Sequence, residues 1–237
     1  MKTRTFILTM LAILASIALN SCSKQDDPSK QQGEHTYYFD HIFDAVLVPR
    51  RLKLLTFTHP TYDKELNTPR TKLFLRIEGD SHGKQIDGSA REPLKKFRER
   101  IGDRPRTNHY FGTYPGGFKA LHQGIEALQV EAVEDYNANY RTGSNLSSIV
   151  EVTYASFDAS FKRLISSDNG NLNQIAKRYK RMLSDGISEC KLPTPLDIML
   201  DFKEAPKMPK VKLRFVLSLE DGSTLELVSE QEIKEAR

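Results

Sequence analysis

The residue types that carry out most enzyme chemistry are scattered along this chain. The six histidines show no metal-ligand spacing, and the nearest approach to a cluster is His41, which lies between Asp40 and Asp44. The sequence has no Gly-x-Ser-x-Gly nucleophile motif, no His-Glu-x-x-His zinc motif and no glycine-rich phosphate loop. We therefore predict no catalytic residue, no metal site and no cofactor. A pair of carboxylates that hydrolyses glycosides stays an open alternative, because its two members need not be close in sequence.

A second candidate for ligand chemistry is the aromatic, glycine-rich stretch of residues 110–118. Tyrosines exposed over glycine turns can stack on sugar rings, so Tyr110, Tyr114 and Phe118 are the candidate ligand-binding residues and a glycan is the candidate ligand. The chain contains no tryptophan, the side chain with the largest ring face. Aromatic side chains that pack over a turn and seal the edge of a core are the alternative.

Two basic stretches are candidate binding sites for an anionic partner, such as a lipopolysaccharide phosphate or an acidic glycan. In the first, Leu94, Phe97 and Ile101 have helical spacing, and Pro93 suits the first turn of a helix. The basic residues around them are Arg91, Lys95, Lys96, Arg98, Arg100, Arg104 and Arg106. The second stretch, residues 177–181, also has a short helical pattern. In both cases we favour the other interpretation, an amphipathic helix with a solvated polar face.

The most specific chemistry in the sequence belongs to a cysteine near its beginning. Lys2 and Arg4 precede an uncharged apolar run, residues 6–19, which is shorter than the ~20 apolar residues of a membrane-spanning helix and is typical of a secretory signal. The run closes on Leu19-Asn20-Ser21-Cys22.

This arrangement resembles the lipobox of bacterial lipoproteins. The resemblance implies that residues 1–21 are a signal peptide and that Cys22 carries lipid, including palmitate, as an anchor in the outer membrane. Residues 23–27, Ser-Lys-Gln-Asp-Asp, resemble the acidic export tag of many Bacteroidota surface lipoproteins, which implies exposure at the cell surface. A solvated linker that contains two aspartates is the alternative for residues 23–27.

The rest of the composition indicates a soluble globular domain on a tether. Hydrophobic residues make up 38% and charged residues 28% of the chain, and the net charge of +4 falls to about +2 without Lys2 and Arg4. This weak charge, together with export, argues against a nucleic-acid partner. Residues 22–34 are rich in Ser, Lys, Gln and Asp and predict a flexible tether. Cys190 then has no disulfide partner, and we interpret it as a small buried hydrophobe.

Alternating hydrophobic residues predict strands along most of residues 35–237. A clean half-buried strand is residues 72–78, which place Leu73, Leu75 and Ile77 on one face and which we expect to stop at Gly79-Asp80. Further strands are predicted at residues 42–48, 52–57, 147–154 and 196–202. Residues 125–135 fit either a strand or a helix, and the strand is favoured. Residues 157–164 are predicted as a short strand or a turn.

The last two strands predict a specific hairpin. Phe215 and Leu217 share one face of the first strand, and Leu225 and Leu227 share one face of the second. A three-residue loop, residues 220–222, opposes these faces, whereas a two-residue turn would mismatch them. We therefore predict the three-residue loop, with Gly222 at a positive φ.

Another resemblance lies within residues 125–154. A strand ending in Asp135-Tyr136-Asn137, followed by Gly143-Ser144-x-Leu146-x-x-Ile149, is similar to a pattern in a family of Bacteroidota lipoproteins. The resemblance implies no particular activity.

These observations predict one mostly β domain, residues 35–237, built as a sandwich of antiparallel strands with two or three short helices and a sub-boundary near residues 190–195. The leading function is a non-enzymatic lipoprotein, anchored in the outer membrane and facing outward, that acts in binding or in cell-envelope assembly. Its expected partners are the membrane, through the lipid, and a glycan or envelope protein. The alternative is a carbohydrate-binding accessory lipoprotein.

Overall fold

Most of the described residues lie in β-strands. A computed structural model describes residues 37–57, 72–85, 88–105, 110–112, 118–166, 176–187 and 196–233. The signal peptide, Cys22, the tether, Cys190 and the predicted sub-boundary lie outside these residues. Residues Thr36–Arg237 form one compact unit.

The described part contains eleven strands, two α-helices and one 3₁₀ turn. The strands are β1 Tyr37–Phe39, β2 Phe43–Phe57, β3 Lys72–Gly83, β4 Tyr110–Gly112, β5 Phe118–Leu121, β6 Ile125–Ala132, β7 Val150–Ser156, β8 Lys177–Met182, β9 Asp197–Phe202, β10 Lys210–Leu219 and β11 Thr224–Glu232. The helices are α1 Glu92–Ile101 and α2 Asp158–Ser166, and the 3₁₀ turn is Leu183–Asp185.

The strands form two larger sheets and one small one. The six-stranded sheet has the order β5-β2-β3-β9-β7-β8, the three-stranded sheet has the order β11-β10-β6, and β1 pairs with β4. Neighbouring strands are antiparallel except for β2 and β5, which are parallel. The predicted mostly β, sandwich-like fold with few helices is confirmed.

Two hydrophobic cores occupy the two faces of the six-stranded sheet. The main core lies between the larger sheets and includes Leu73, Leu75, Val152, Phe215 and Leu217, all nearly inaccessible to solvent. The second core contains Phe43 and Val46 of β2 together with side chains of both helices. Because neighbouring residues of a strand point to opposite faces, Val46 lies in the second core and Leu47 in the main core.

A bulge lets β2 run through a proline and keep its core face. The register with β3 shifts between Pro49 and Arg51, so that Leu47 before the bulge and Leu52 after it both reach the main core. Gly79 lies opposite this irregularity, and β3 continues past it to Gly83. The prediction that this strand stops at Gly79 was wrong, because the glycine accommodates the bulge of its partner.

The terminal hairpin is confirmed in register and in loop. Phe215 pairs with Leu227 and Leu217 pairs with Leu225. The N–H of Gly222 donates to the carbonyl of Leu219 at 2.9 Å, and Gly222 has a φ of 81°. The strand interpretation of residues 125–135 is confirmed for residues 125–132, which form β6.

Two local predictions were wrong. Residues 177–181, predicted as a helix, form β8, because Tyr179 pairs with Tyr154 of β7 and the other β8 residues follow in register. Residues 157–164, predicted as a strand or turn, lie mostly in helix α2. The reason is that Phe157, Phe161 and Leu164 have helical spacing and face the second core.

Candidate functional site: a cleft beside helix α1

The site with the most buried charge is a cleft of about 480 Å³ beside helix α1. Its walls are the residues that precede β2, the residues that follow β3, and α1 with the turn after it. We call it the α1 cleft; its lining residues are Asp40, His41, Lys84, Gly88, Ser89, Ala90, Lys95, Arg98, Glu99, Asp103, Arg104 and Pro105. The structure thus brings His41 and the basic α1 stretch, which the sequence pointed to separately, into one place.

Helix α1 is held against the sheet by its apolar face. Pro93 lies in its first turn, where a backbone N–H would have no partner within the helix, so the N–H that proline lacks is not needed. Leu94 and Phe97 are completely buried, and the Phe97 ring meets the Phe43 ring edge-on with centroids 5.6 Å apart. Lys95 and Arg98, each the residue directly after one of these buried side chains, are thereby directed to the cleft side of the helix.

The end of α1 places a carboxylate underneath the helix. Gly102 adopts the left-handed conformation, with a φ of 77°. Its N–H donates to the carbonyl of Glu99 at 3.3 Å, and the N–H of Asp103 donates to the carbonyl of Arg98 at 2.9 Å. This Schellman arrangement reverses the chain and returns Asp103 toward the sheet.

Arg98 and Asp103 bind the backbone where β2 begins. The two carboxylate oxygens of Asp103 accept hydrogen bonds from the N–H groups of Ile42 and Phe43, each at 3.0 Å. Arg98 donates from Nε to the carbonyl of Phe43 at 2.8 Å, and its Nη2 donates to the same oxygen. Both side chains form the floor of the cleft, since their exposed fractions are 7% for Arg98 and 0% for Asp103.

Burial works against both charges. Desolvation raises the pKa of Asp103, although the two backbone hydrogen bonds and Arg98 oppose the shift. Desolvation likewise lowers the pKa of Arg98, while Asp103, Asp44 and Asp40 oppose that change. The closest oxygen of Asp103 is 3.9 Å from Nε of Arg98 and that of Asp44 is 3.6 Å from Nη2, so the pairs compensate only in part.

His41 presents a neutral imidazole to the cleft near pH 7. Burial lowers its pKa below the ordinary value of 6.5, and the positive charges of Arg98 and Lys84 lower it further. Asp40 and Asp44 have the opposite, weaker effect. The ring can therefore donate one hydrogen bond and accept another.

The rim of the cleft is cationic. Lys84 is paired with Asp44 at 2.9 Å, whereas Lys95 and Arg104 form no ion pair with the residues that the structure describes. The Nη1 nitrogen of Arg98 likewise donates to no described residue. An anionic group in this cleft would meet charge-assisted donors from the floor and from the rim.

A larger cleft, of about 570 Å³, lies at the β2 bulge and is a weaker candidate. Its arginines are matched by carboxylates at close range. Arg50 binds Asp80 at 2.8 Å, Arg51 binds Glu78 at 2.8 Å and Arg76 binds Asp197 at 2.6 Å. These exposed pairs neutralise most of the charge that could attract a ligand.

The predicted aromatic site is only partly described. Phe118 is half-buried in the second core, with its ring centroid 5.8 Å from that of Phe157. Tyr110 pairs with Phe39 between β4 and β1, and its side chain lies outside the described residues, as does the whole of Tyr114. The position of Phe118 agrees with the alternative of aromatic packing at the edge of a core.

Sequence reasoning missed Lys84 and the role of Asp103. One local signal was present, because Gly102 directly before Asp103 is typical of a helix that ends by reversing the chain. No local signal connects Lys84 with α1.

No protein-family model matches this chain, and neither does any curated protein or solved structure. Within the described ranges, no three His, Cys, Asp or Glu side chains are grouped as metal ligands would be. Among the same residues, no helix is long and apolar enough to cross a membrane.

Proposed function

We propose that this protein is a lipoprotein of the outer membrane that acts by binding an anionic group in the α1 cleft. The membrane part of the proposal rests on the N-terminal sequence. A short basic segment, an apolar run and the Leu19-to-Cys22 motif occur in the order that lipid attachment requires. Several acyl chains on one cysteine satisfy the two-signal requirement for stable membrane binding.

The observation that carries the binding part is a charged floor beneath a cationic rim. Arg98 is almost fully buried yet keeps Nη1 without a partner among the described residues, and Lys95 and Arg104 stand above it. Buried charges in a cleft are uncommon where they serve packing alone, because their desolvation is unfavourable.

Binding rather than catalysis is supported by the way in which Asp103 is used. Each of its oxygens already accepts a backbone N–H, so the carboxylate is held in place and is poorly suited to take a proton from a substrate. Arg98 is likewise oriented by the carbonyl of Phe43.

The anchor is tested by labelling cells with radioactive palmitate. The wild-type protein is expected to incorporate the label and to sediment with outer membranes, and the Cys22→Ala variant is expected to do neither. Cys190→Ala is the matched control and should behave as the wild type. If the Cys22→Ala variant still incorporates the label, the lipobox interpretation is wrong.

The cleft is tested by titrating the purified full chain, in nonionic detergent, with inorganic phosphate, glucose 6-phosphate and glucose. We expect both phosphates to bind and uncharged glucose not to bind. The double variant Lys95→Ala/Arg104→Ala should bind at least fivefold more weakly, because two rim cations are lost. The control Lys210→Ala/Lys212→Ala removes two exposed lysines of β10 and should have no effect. Equal phosphate affinity in all three proteins would refute a site in the cleft.

A further inference from the structure

Edge strands of sheets carry backbone groups that another strand can bind, and several edges in the described part of this fold are short or have other residues beside them. The outer edge of β6 is bonded by residues 143–146, for example from the N–H of Leu146 to the carbonyl of Val130 at 2.8 Å. Strand β11 lies beside β2, and β5 has only four residues. Strand β8 ends the six-stranded sheet, and no described residue pairs with its outer edge.

The β8 strand pairs continuously and has ordered contacts around its central tyrosine. All six of its residues pair in register with β7, without a bulge. At its centre, the Tyr179 ring stacks on the Tyr154 ring with centroids 5.7 Å apart and planes 19° apart. Lys177 Nζ lies 5.1 Å from the Tyr179 ring centroid and the Arg181 guanidinium lies 5.7 Å from it, so cation–π contacts hold both neighbours of the ring.

Positive charge is present on both faces of this edge. Lys177 and Arg181 lie on the face of Tyr179, whereas Arg178 and Lys180 point to the opposite face, across from Ala155 and Thr153. Lys180 is 3.1 Å from Glu151, so its charge is partly offset by this carboxylate. Lys177, Arg178 and Lys180 are exposed.

We propose that the outer edge of β8 binds an extended acidic segment of a partner protein as an additional strand. An extended peptide supplies both N–H donors and carbonyl acceptors to a sheet edge, in alternation, which gives affinity without reading sequence. Carboxylates at every second residue of the partner would lie opposite Arg178 and Lys180 on one face. A sulfated or phosphorylated polymer would satisfy the charges but would leave the edge backbone without a matching partner. This site is separate from the α1 cleft and does not depend on the function proposed for it.

The competing explanation is that the charges protect the edge. Lysines on an edge strand discourage pairing with other chains, and that role alone would need no partner. The two explanations predict opposite results with an acidic peptide, because protection against neutral or basic strands does not exclude a strand of opposite charge.

The test uses the full chain in nonionic detergent and a fluorescein-labelled peptide in which Glu and Thr alternate. We expect binding that weakens with salt, as measured by fluorescence anisotropy, and slower hydrogen exchange of the β8 amides in the complex. The same peptide with alternate amides N-methylated keeps its charge but cannot pair as a strand, and it should bind at least tenfold more weakly.

Two charge-reversal variants complete the design. Arg178→Glu/Lys180→Glu should weaken peptide binding at least tenfold, and the matched control Lys210→Glu/Lys212→Glu, on the other sheet, should change it less than twofold. Circular dichroism verifies that both variants fold. If the peptide does not bind, the proposal is overturned, and edge protection remains as the explanation of the charges. It is equally overturned if the N-methylated peptide or dextran sulfate binds as tightly as the plain peptide, which leaves a general polyanion surface.

Discussion

At the scale of single residues, Arg98 and Asp103 each have two roles. They satisfy backbone groups at the start of β2, where the strand has incomplete sheet pairing, and they form the floor of the α1 cleft. A buried ion pair adds little net stability compared with an apolar pair, but its disruption leaves a buried charge without a partner. We therefore expect these positions to tolerate substitution poorly, whatever the cleft binds.

Asp103→Ala tests this expectation. The change removes the acceptors of Ile42 and Phe43 and the nearest buried counter-charge of Arg98, so the free energy of unfolding should fall by about 3–5 kcal/mol. Asp103→Asn keeps one acceptor and should lose less. Exposed Glu99, on the same helix, is the control, and Glu99→Ala should change stability by less than about 0.5 kcal/mol. Urea unfolding measures all three; an Asp103→Ala variant as stable as Glu99→Ala would contradict the role.

His41 and His122 are expected to make stability depend on pH. Burial and neighbouring positive charges lower the pKa of both below the ordinary 6.5. As pH falls from 6.5 toward these lower values, the unfolded chain takes up protons that the folded chain does not, so the free energy of unfolding decreases. His41→Gln/His122→Gln should show a shallower decrease between pH 6.5 and about 5 in urea unfolding. An unchanged slope in the double variant would show that other groups cause it.

At the scale of elements, a bulge in β2 and a glycine in β3 together explain how β2 becomes the longest of the described strands. The chain passes through Pro49 without ending β2, because the bulge absorbs the lost pairing and returns hydrophobic residues to the main core. The partner strand supplies Gly79 at this point. A β-carbon there would lie 1.9 Å from the carbonyl oxygen of Val48, which is backbone and cannot rotate away.

Gly79→Ala should therefore separate β2 from β3 locally. Overpacking of this kind typically lowers stability by about 1–3 kcal/mol, and we expect a loss in that range. Gly83→Ala, in the same strand, is a matched control. A β-carbon at this position would have the carbonyl oxygen of Asp44 as its nearest neighbour, at 3.4 Å. Thermal unfolding compares the two variants. A Gly79→Ala protein that unfolds with or above the Gly83→Ala protein would refute the steric account.

At the scale of the whole molecule, the described residues form a two-core sandwich in which charge is arranged unevenly. The three-stranded sheet carries interleaved charges of both signs on its outer face, as where Arg214 binds Glu131 and Glu226. The β8 edge is basic on both faces, and the α1 cleft has a cationic rim. This arrangement agrees with the proposal that the protein carries a lipid anchor and binds anionic partners at a membrane surface. Glycan binding through Tyr110, Tyr114 and Phe118 stays a prediction.

The side of the membrane on which the proposed lipid anchor places the protein is tested by proteinase K treatment of intact cells. If Asp26 and Asp27 belong to an export tag, the wild-type protein should be degraded and Asp26→Ala/Asp27→Ala should be protected, because the variant stays on the inner side of the membrane. Ser23→Ala is the control and should remain accessible. Protection of the wild type would place the domain toward the periplasm and would direct the search for partners there.

The strands with one buried face were predictable because their pattern is local. Leu73, Leu75 and Ile77 alternate, and the faces of the terminal hairpin determine the length of its loop, so pairing could be read from spacing alone. Strand β8 was not predictable in this way, because its apolar residues are few and its conformation depends on pairing with Tyr154 of β7. Helix α2 was missed although Phe157, Phe161 and Leu164 have helical spacing, and the second core that these side chains face is formed with residues distant in sequence.

The sequence by itself determined the mostly β class, the hairpin and the position of helix α1, since each follows from periodicity and from turn residues within a short window. It also contains the lipobox pattern on which the predicted anchor rests. Only the tertiary structure brought His41, Lys84 and Asp103 into one cleft and left β8 at the end of a sheet. Those outcomes depend on contacts between residues that are distant in sequence, such as the hydrogen bond from the N–H of Ile42 to the carboxylate of Asp103, and no local period encodes them.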